Sequence, residues 1–242
     1  MRQHAVRYVA LIADGSRRWA HTRGLPVRAG HEAAADTLRE RVLDAVELGV
    51  RELTAYSFST ENWARPRSEV DSLLDLFVRR IGREIPRLRH EGVRMRFVGR
   101  REGLPGELVR VMHAAEEQTS GNTAITLFFA VNYGGRADIL DAARRYRGGG
   151  EEGFRALLYA PDMHDPELII RTGRERRLSN FLLWQGADAE LIFREELWPE
   201  FSRAAFAESL ATFADRRRRE AARPVATSAR YPFGAMALPS PQ

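Results

Sequence analysis

Six short apolar runs punctuate the chain, at Tyr8–Ala13, Glu52–Phe58, Val93–Val98, Ala124–Val131, Glu167–Arg171 and Ala189–Phe193. Their length and character predict strands. Between most of them the apolar positions switch to helical spacing. Glu32–Leu48 carries Ala35, Leu38, Val42, Ala45 and Val46 on one stripe. Ser68–Ile81 carries Val70, Leu73, Leu74, Phe77 and Ile81 at the i, i+3, i+4, i+7 positions of one helix face. Gly106–Gln118, Arg136–Tyr146 and Ser202–Arg219 also read as helices, whereas Gly148–Gly150 and the two glutamates after it read as a loop. This alternation predicts a single α/β domain, its central, mostly parallel six-stranded sheet flanked by helices. No repeat or linker divides the pattern, so the domain is expected over residues 1–219. Beyond Arg219 the composition turns to Ala, Pro and Ser, which predicts a flexible C-terminal tail over 220–242. No apolar run approaches the roughly 18 residues of a membrane helix. Asp14, Arg17 and Arg18 follow the first run too closely for a signal peptide. A cytoplasmic location is the expectation.

Composition narrows the chemistry. With 44% hydrophobic and 29% charged residues, the 242-residue chain can bury a core and is not disordered throughout. It has no cysteine, which excludes disulfides, thiolate metal sites and a cysteine nucleophile. All 38 basic residues are arginine. The absence of lysine removes the Walker-type phosphate lysine and every Schiff-base mechanism. The net charge of +5 reflects either a compositional bias or guanidiniums that face anionic ligands. Nucleic acid is not the expected partner, because the run Arg216–Arg219 suits the negative end of a helix dipole.

Ligands of open parallel sheets bind beyond the carboxyl ends of the strands, and three such segments are rich in phosphate-binding groups. In Asp14-Gly15-Ser16-Arg17-Arg18-Trp19 a strand ends, a glycine permits a turn and a helix begins, so backbone N–H groups and two guanidiniums can meet phosphate oxygens. A carboxylate belongs beside a phosphate if Mg²⁺ sits between them; otherwise Asp14 is an N-cap. Ser59-Thr60-Glu61-Asn62-Trp63-Ala64-Arg65 crowds hydroxyls, an acid, an amide, an indole and a cation at one strand end, or else forms a capping box from Ser59 and Asn62. His31, after Gly30, is either a phosphate donor or a surface histidine. Arg171-Thr172-Gly173-Arg174-Glu175-Arg176-Arg177-Leu178-Ser179 offers guanidiniums and a hydroxyl for a diphosphate, or is a solvated basic loop.

These strings, with Asn132-Tyr133-Gly134-Gly135-Arg136 and Ala189-Glu190-Leu191-Ile192-Phe193, resemble the cis-prenyltransferases in order from about Val6 to Arg219. The resemblance implies a homodimeric α/β protein with an apolar tunnel beneath its active site. It also implies Mg²⁺-dependent condensation of isopentenyl diphosphate with an allylic diphosphate to give a Z-polyprenyl diphosphate, with peripheral membrane contact through the lipid product. Under that likeness Asp14 and Glu190 hold the metal, and Gly15, Ser16, Arg17, Arg18 and Trp19 wrap the allylic diphosphate. Val27 takes the place of a phosphate-binding arginine, with Arg28 beside it. His31 assists departure of diphosphate. Ser59, Thr60, Glu61, Asn62, Trp63 and Arg65 surround the reacting groups. Asn62 orients the substrate while a diphosphate oxygen takes the proton, since an amide is too weak a base. Arg171, Arg177, Leu178 and Ser179 hold the isopentenyl diphosphate. The chain departs from the family pattern at Ser16, Arg17, Val27 and Arg174, the last standing where a glycine is typical. A short-chain or atypical-coupling synthase is one alternative. A catalytically weak partner subunit is another, though such subunits tend to lose the aspartate and arginines retained here. Small Ser57 favours a long product; Phe128 or Phe129, if either enters the tunnel, favours a short one.

Overall fold

The computed structural model describes residues 6–222. All six expected strands form: β1 (Tyr8–Ile12), β2 (Glu52–Ser59), β3 (Val93–Val98), β4 (Ile125–Tyr133), β5 (Leu168–Arg171) and β6 (Glu190–Phe193). They make one sheet in the order β3-β4-β2-β1-β5-β6, with every pairing parallel. Four of the five residues of β1 are buried, as befits a central strand covered on both faces.

The helices are α1 (Ser16–Thr22), α2 (Val27–Glu47), α3 (Arg67–His90), α4 (Gly106–Gln118), α5 (Gly135–Arg145), α6 (Gly150–Arg155) and α7 (Arg203–Ala221). Three differ from the sequence pattern. α2 starts five residues before the expected Glu32, behind Pro26, whose fixed φ of −65° suits entry into a helix. α3 runs through Pro86 to His90 because Ile85 and Leu88 continue its buried stripe. α6 occupies the expected glycine loop, where Gly149 (φ 104°) turns the chain and Glu151 and Glu152 fill the first helical turn. α7 carries the fold two residues past Arg219, and the remainder of the expected tail lies outside the described residues.

The larger core joins α2, α3, α4 and α7 to one face of the sheet. The other face is covered by Ala160, Met163, Phe181 and Leu182, from the segments before and after β5. The chain leaves β1 toward β2 on one side, and β5 pairs on the other. That reversal opens a crevice at the carboxyl end of β1.

Candidate active site

Asp14 stands at this crevice, two residues beyond β1. Its N–H donates to Thr172 Oγ1 at 3.0 Å, and its carbonyl accepts from Thr172 Oγ1 at 2.8 Å and from the Trp198 N–H at 2.9 Å. Gly15 then turns the chain with φ 111°, and a Cβ there would lie 2.8 Å from Leu197 Cδ2. Gly15, and not Asp14, occupies the cap position of α1. The first bond of that helix is Trp19 N–H to Gly15 C=O, so the N–H groups of Ser16, Arg17 and Arg18 have no acceptor within it. α2 crosses α1 closely enough that a Cβ on Gly30 would fall 2.3 Å from the Ser16 carbonyl oxygen. Only glycine allows that approach, and it brings His31 to the crevice.

The Asp14 carboxylate, about a third exposed, accepts from Arg171 Nη2 at 2.8 Å, while Arg18 Nη2 lies 3.4 Å from its other oxygen. Arg171 is buried and fully engaged at its tips: Nη1 donates to the Arg177 carbonyl and Ser179 Oγ, both at 2.6 Å. It therefore ties the end of β1 to the Arg177–Ser179 loop and does not extend into the crevice as a free phosphate ligand. The connection from β5 to β6 that contains this loop is strained. Of the five non-glycine residues with positive φ among the described residues, Arg174, Ser179, Asn180 and Leu182 fall within it.

Below the rim lies a cavity of about 850 Å³. Asp14, Arg17, Arg18, His31, Arg65 and Arg174 stand at its mouth, and its walls are mainly apolar, with Leu38, Val42, Leu73, Phe77, Leu127 and Phe129 among them. Ser57 and Phe129 face this cavity, whereas Phe128 packs in the core of the opposite face. His31 titrates below its ordinary value, chiefly through burial and then through Arg65 and Arg17, with Glu69 opposing. It is buried, so the reading of His31 as a surface histidine does not hold. Glu69 was missed in the sequence, although its i+4 spacing from Arg65 is visible there. It pairs with Arg65 at 3.3 Å and lies 3.7 Å from Arg17, holding both cations at the mouth.

Other candidates lie elsewhere. Asn62 Oδ1 accepts the Ser59 N–H at 3.1 Å in a capping box at the start of the 3₁₀ turn Thr60–Ala64. The capping alternative is thus the one observed, and an oxygen so engaged is not free to accept a proton. Trp63 donates to Asn132 Oδ1 at 2.8 Å, Glu61 accepts from Asn180 Nδ2 at 2.6 Å, and Thr60 crowds Gly134. These contacts lock three loops together beside the crevice. Trp19 lies under the Arg23 guanidinium, exposed Arg28 pairs with Glu32, Arg177 pairs with Glu175, and Leu178 packs on the opposite face of the sheet.

Glu190 does not meet Asp14 within one chain. It shares a row with Val9 at the amino end of the sheet, and Asp14 lies five residues further along, about 16 Å of strand rise. Among the described residues no three His, Asp or Glu side chains cluster as a metal cage. Asp14, whose second carboxylate oxygen has only the long contact to Arg18, fits a Mg²⁺ that arrives with phosphate oxygens and keeps several waters.

The fold is thus an α/β protein whose all-parallel sheet carries a rim of guanidiniums over a mainly apolar cavity. Residues 12–221 match the family model described as "Putative undecaprenyl diphosphate synthase". The chain is 48% identical over 222 residues to an isoprenyl transferase of Thermotoga maritima, covering 88% of this chain and 95% of that one. It is 44% identical over 224 residues to a ditrans,polycis-undecaprenyl-diphosphate synthase, (2E,6E)-farnesyl-diphosphate specific, of Pseudomonas aeruginosa, covering 88% and 89%. The crystal structure of lavandulyl diphosphate synthase from Lavandula x intermedia, in complex with dimethylallyl diphosphate, superposes with a TM-score of 0.83 at 30% identity over 87% of this chain and 95% of that one. The chain belongs to the undecaprenyl diphosphate synthase family, the cis-prenyltransferases, and is a transferase of that family. No described helix is long and apolar enough to cross a membrane.

Proposed function

We propose that the protein condenses isopentenyl diphosphate onto an allylic diphosphate in a Mg²⁺-dependent reaction, extending a Z-polyprenyl diphosphate by five carbons at a time. The observation that carries this reading is one carboxylate, Asp14, set among Arg17, Arg18 and Arg65 at the mouth of an apolar chamber of about 850 Å³. A diphosphate head belongs at such a rim, and a hydrocarbon tail belongs below it.

Asp14 would hold Mg²⁺, which when bound supplies positive charge to the departing diphosphate. Arg17, Arg18 and the free N–H groups of α1 bind and orient that diphosphate as its negative charge grows. His31, held below its ordinary value by burial and by Arg65 and Arg17, offers a ring N–H to that diphosphate. As the allylic C–O bond breaks, the isopentenyl double bond attacks the allylic carbon, and a proton then leaves the new cation to a diphosphate oxygen. Asn62 acts as a positioning residue, because its cap holds the turn from which Trp63 and Arg65 project. Arg171 positions Asp14 and the Ser179 loop in the same sense. Arg174 adds a fourth guanidinium at the mouth, available to the second diphosphate.

Purified protein with Mg²⁺, farnesyl or geranyl diphosphate and labelled isopentenyl diphosphate should yield cis-polyprenyl product, and Asp14→Ala should abolish it. Full activity in that variant would remove Asp14 from the reaction. The likeness to lavandulyl diphosphate synthase favours a second reading, a short-chain or atypical coupling, which the chromatographed product distinguishes at once.

A further inference from the structure

Two asparagines hold the turn Thr60–Ala64 from either side, and both sit at positive φ, Asn132 at 52° and Asn180 at 63°. L-residues avoid that conformation, and asparagine tolerates it better than most. Asn132 faces the scaffold: it accepts from Trp63 and donates to the carbonyls of Arg100 and Glu102, at 3.2 and 3.0 Å. Asn180 joins pieces that stand closer to the chemistry. Its Nδ2 donates to Glu61 Oε1 at 2.6 Å, its Oδ1 accepts the Arg136 N–H at 2.8 Å, and its carbonyl accepts the Gly135 N–H at 2.7 Å. One residue thus links the turn after β2, the start of α5 and the loop after β5. The approach is tight, since a Cβ on Gly134 would fall 2.5 Å from Thr60 Oγ1 and 2.8 Å from Asn180 Nδ2.

The neighbours on each side give this contact its meaning. Immediately before Asn180 stands Ser179, whose hydroxyl accepts from Arg171, in a loop that also carries Arg174 and Arg177. Immediately after Glu61 come Asn62 and Trp63, and then Arg65 at the cavity mouth. Glu61 is an acid held next to a basic loop suited to an anion. Burial raises its titration, but the Asn180 amide, its own backbone N–H and the hydroxyls of Ser59 and Thr60 together hold it below its ordinary value. The carboxylate is therefore ionised, and its bond to Asn180 is charge-assisted and short. Released from that bond, it would add a negative charge beside any diphosphate in the loop.

Resting on the condensation proposed above, we propose that Asn180 is a positioning residue for isopentenyl diphosphate. It clamps the Ser179 loop to the Glu61 turn, so that the second diphosphate sits at a fixed distance from the turn that carries Trp63 and Arg65. It also keeps the Glu61 carboxylate engaged, where a free one would repel that diphosphate. Asn180→Asp tolerates the positive φ and retains an acceptor for the Arg136 N–H, but faces Glu61 with a second carboxylate. Its kcat/KM for isopentenyl diphosphate should fall roughly thirtyfold, while calorimetric Kd for farnesyl diphosphate alone stays within about twofold. Adding Glu61→Gln supplies an amide and reverses the bond. The double variant should then be about tenfold more active than the two single losses multiplied together predict. Losses that simply multiply overturn the clamp. So does an equal loss of affinity for farnesyl diphosphate, which a general loosening of the fold would produce. Kinetics within about threefold of wild type overturn it as well. If Asn180→Asp does not fold, Asn180→Gly decides, because it keeps the backbone conformation and removes the amide. The same one-sided loss is expected, and its absence refutes the clamp. A wild type that makes no product removes the condensation reading and this assignment with it, whereas an active wild type with multiplying losses defeats the assignment alone.

Discussion

Arg171 and Asp14 offer a direct energetic test of how the rim is assembled. Arg171→Met removes the bond to the Asp14 carboxylate and the two bonds to Arg177 and Ser179, leaving three acceptors without their donor. Breaking a buried pair costs roughly 3–5 kcal/mol, and the partial exposure of Asp14 places this one near the lower end, about 3 kcal/mol. Asp14→Ala removes only the carboxylate and leaves Arg171 two of its three partners. A charge-assisted bond contributes about 1.5–3 kcal/mol. Solvent beside Asp14 again favours the lower figure, so the two substitutions should overlap by about 1.5 kcal/mol when combined. Urea unfolding of the four proteins measures this as a shift in midpoint at constant slope. Additivity within about 0.5 kcal/mol would show that the two residues do not share the bond, and the account of Arg171 as the brace of Asp14 would be wrong.

Three further outcomes are expected. Arg174→Gly relieves a side chain held at φ 71° and should stabilise the fold by about 1 kcal/mol, a rise of roughly 2–4 °C in melting temperature, while raising KM for isopentenyl diphosphate. A lower melting temperature would mean that the left-handed conformation carries no strain. Asp138, buried, accepts from the Tyr159 N–H, the Tyr133 hydroxyl and Gln185 Nε2, and the buried Oε1 of Gln185 has no partner. Asp138→Asn should be nearly neutral in denaturant midpoint, since a rotated Gln185 can accept from the new amide. Asp138→Ala should cost about 3 kcal/mol, and equal costs would contradict that network. His31 has a folded-state value below 6.5, so the unfolded chain binds its proton first. Its contribution is complete above pH 6.5 and is lost as the pH falls below it; His31→Gln should show a flatter fall in urea midpoint between about pH 7 and pH 5. Parallel curves would exclude His31 as a source of that slope.

The sequence by itself determined the six strands, most of the helices and the places where the chain leaves the sheet for chemistry. Those features follow from local periodicity and from what a parallel sheet does with its carboxyl ends, so neighbouring residues suffice to read them. Even the cap formed by Ser59 and Asn62 was visible as an alternative, because its partners are three residues apart. Tertiary structure decided the rest. Whether Arg171 reaches outward or braces Asp14 depends on a partner 157 residues away in the chain and on burial that no local window records. Likewise, α6 in the glycine-rich stretch and the entry of Phe129 but not Phe128 into the cavity depend on packing between distant elements. The separation of Glu190 from Asp14 is set by strand register, which fixes how far along the sheet each residue falls. Spacing along the chain carries local geometry, whereas distances across a folded sheet exist only once the strands have paired.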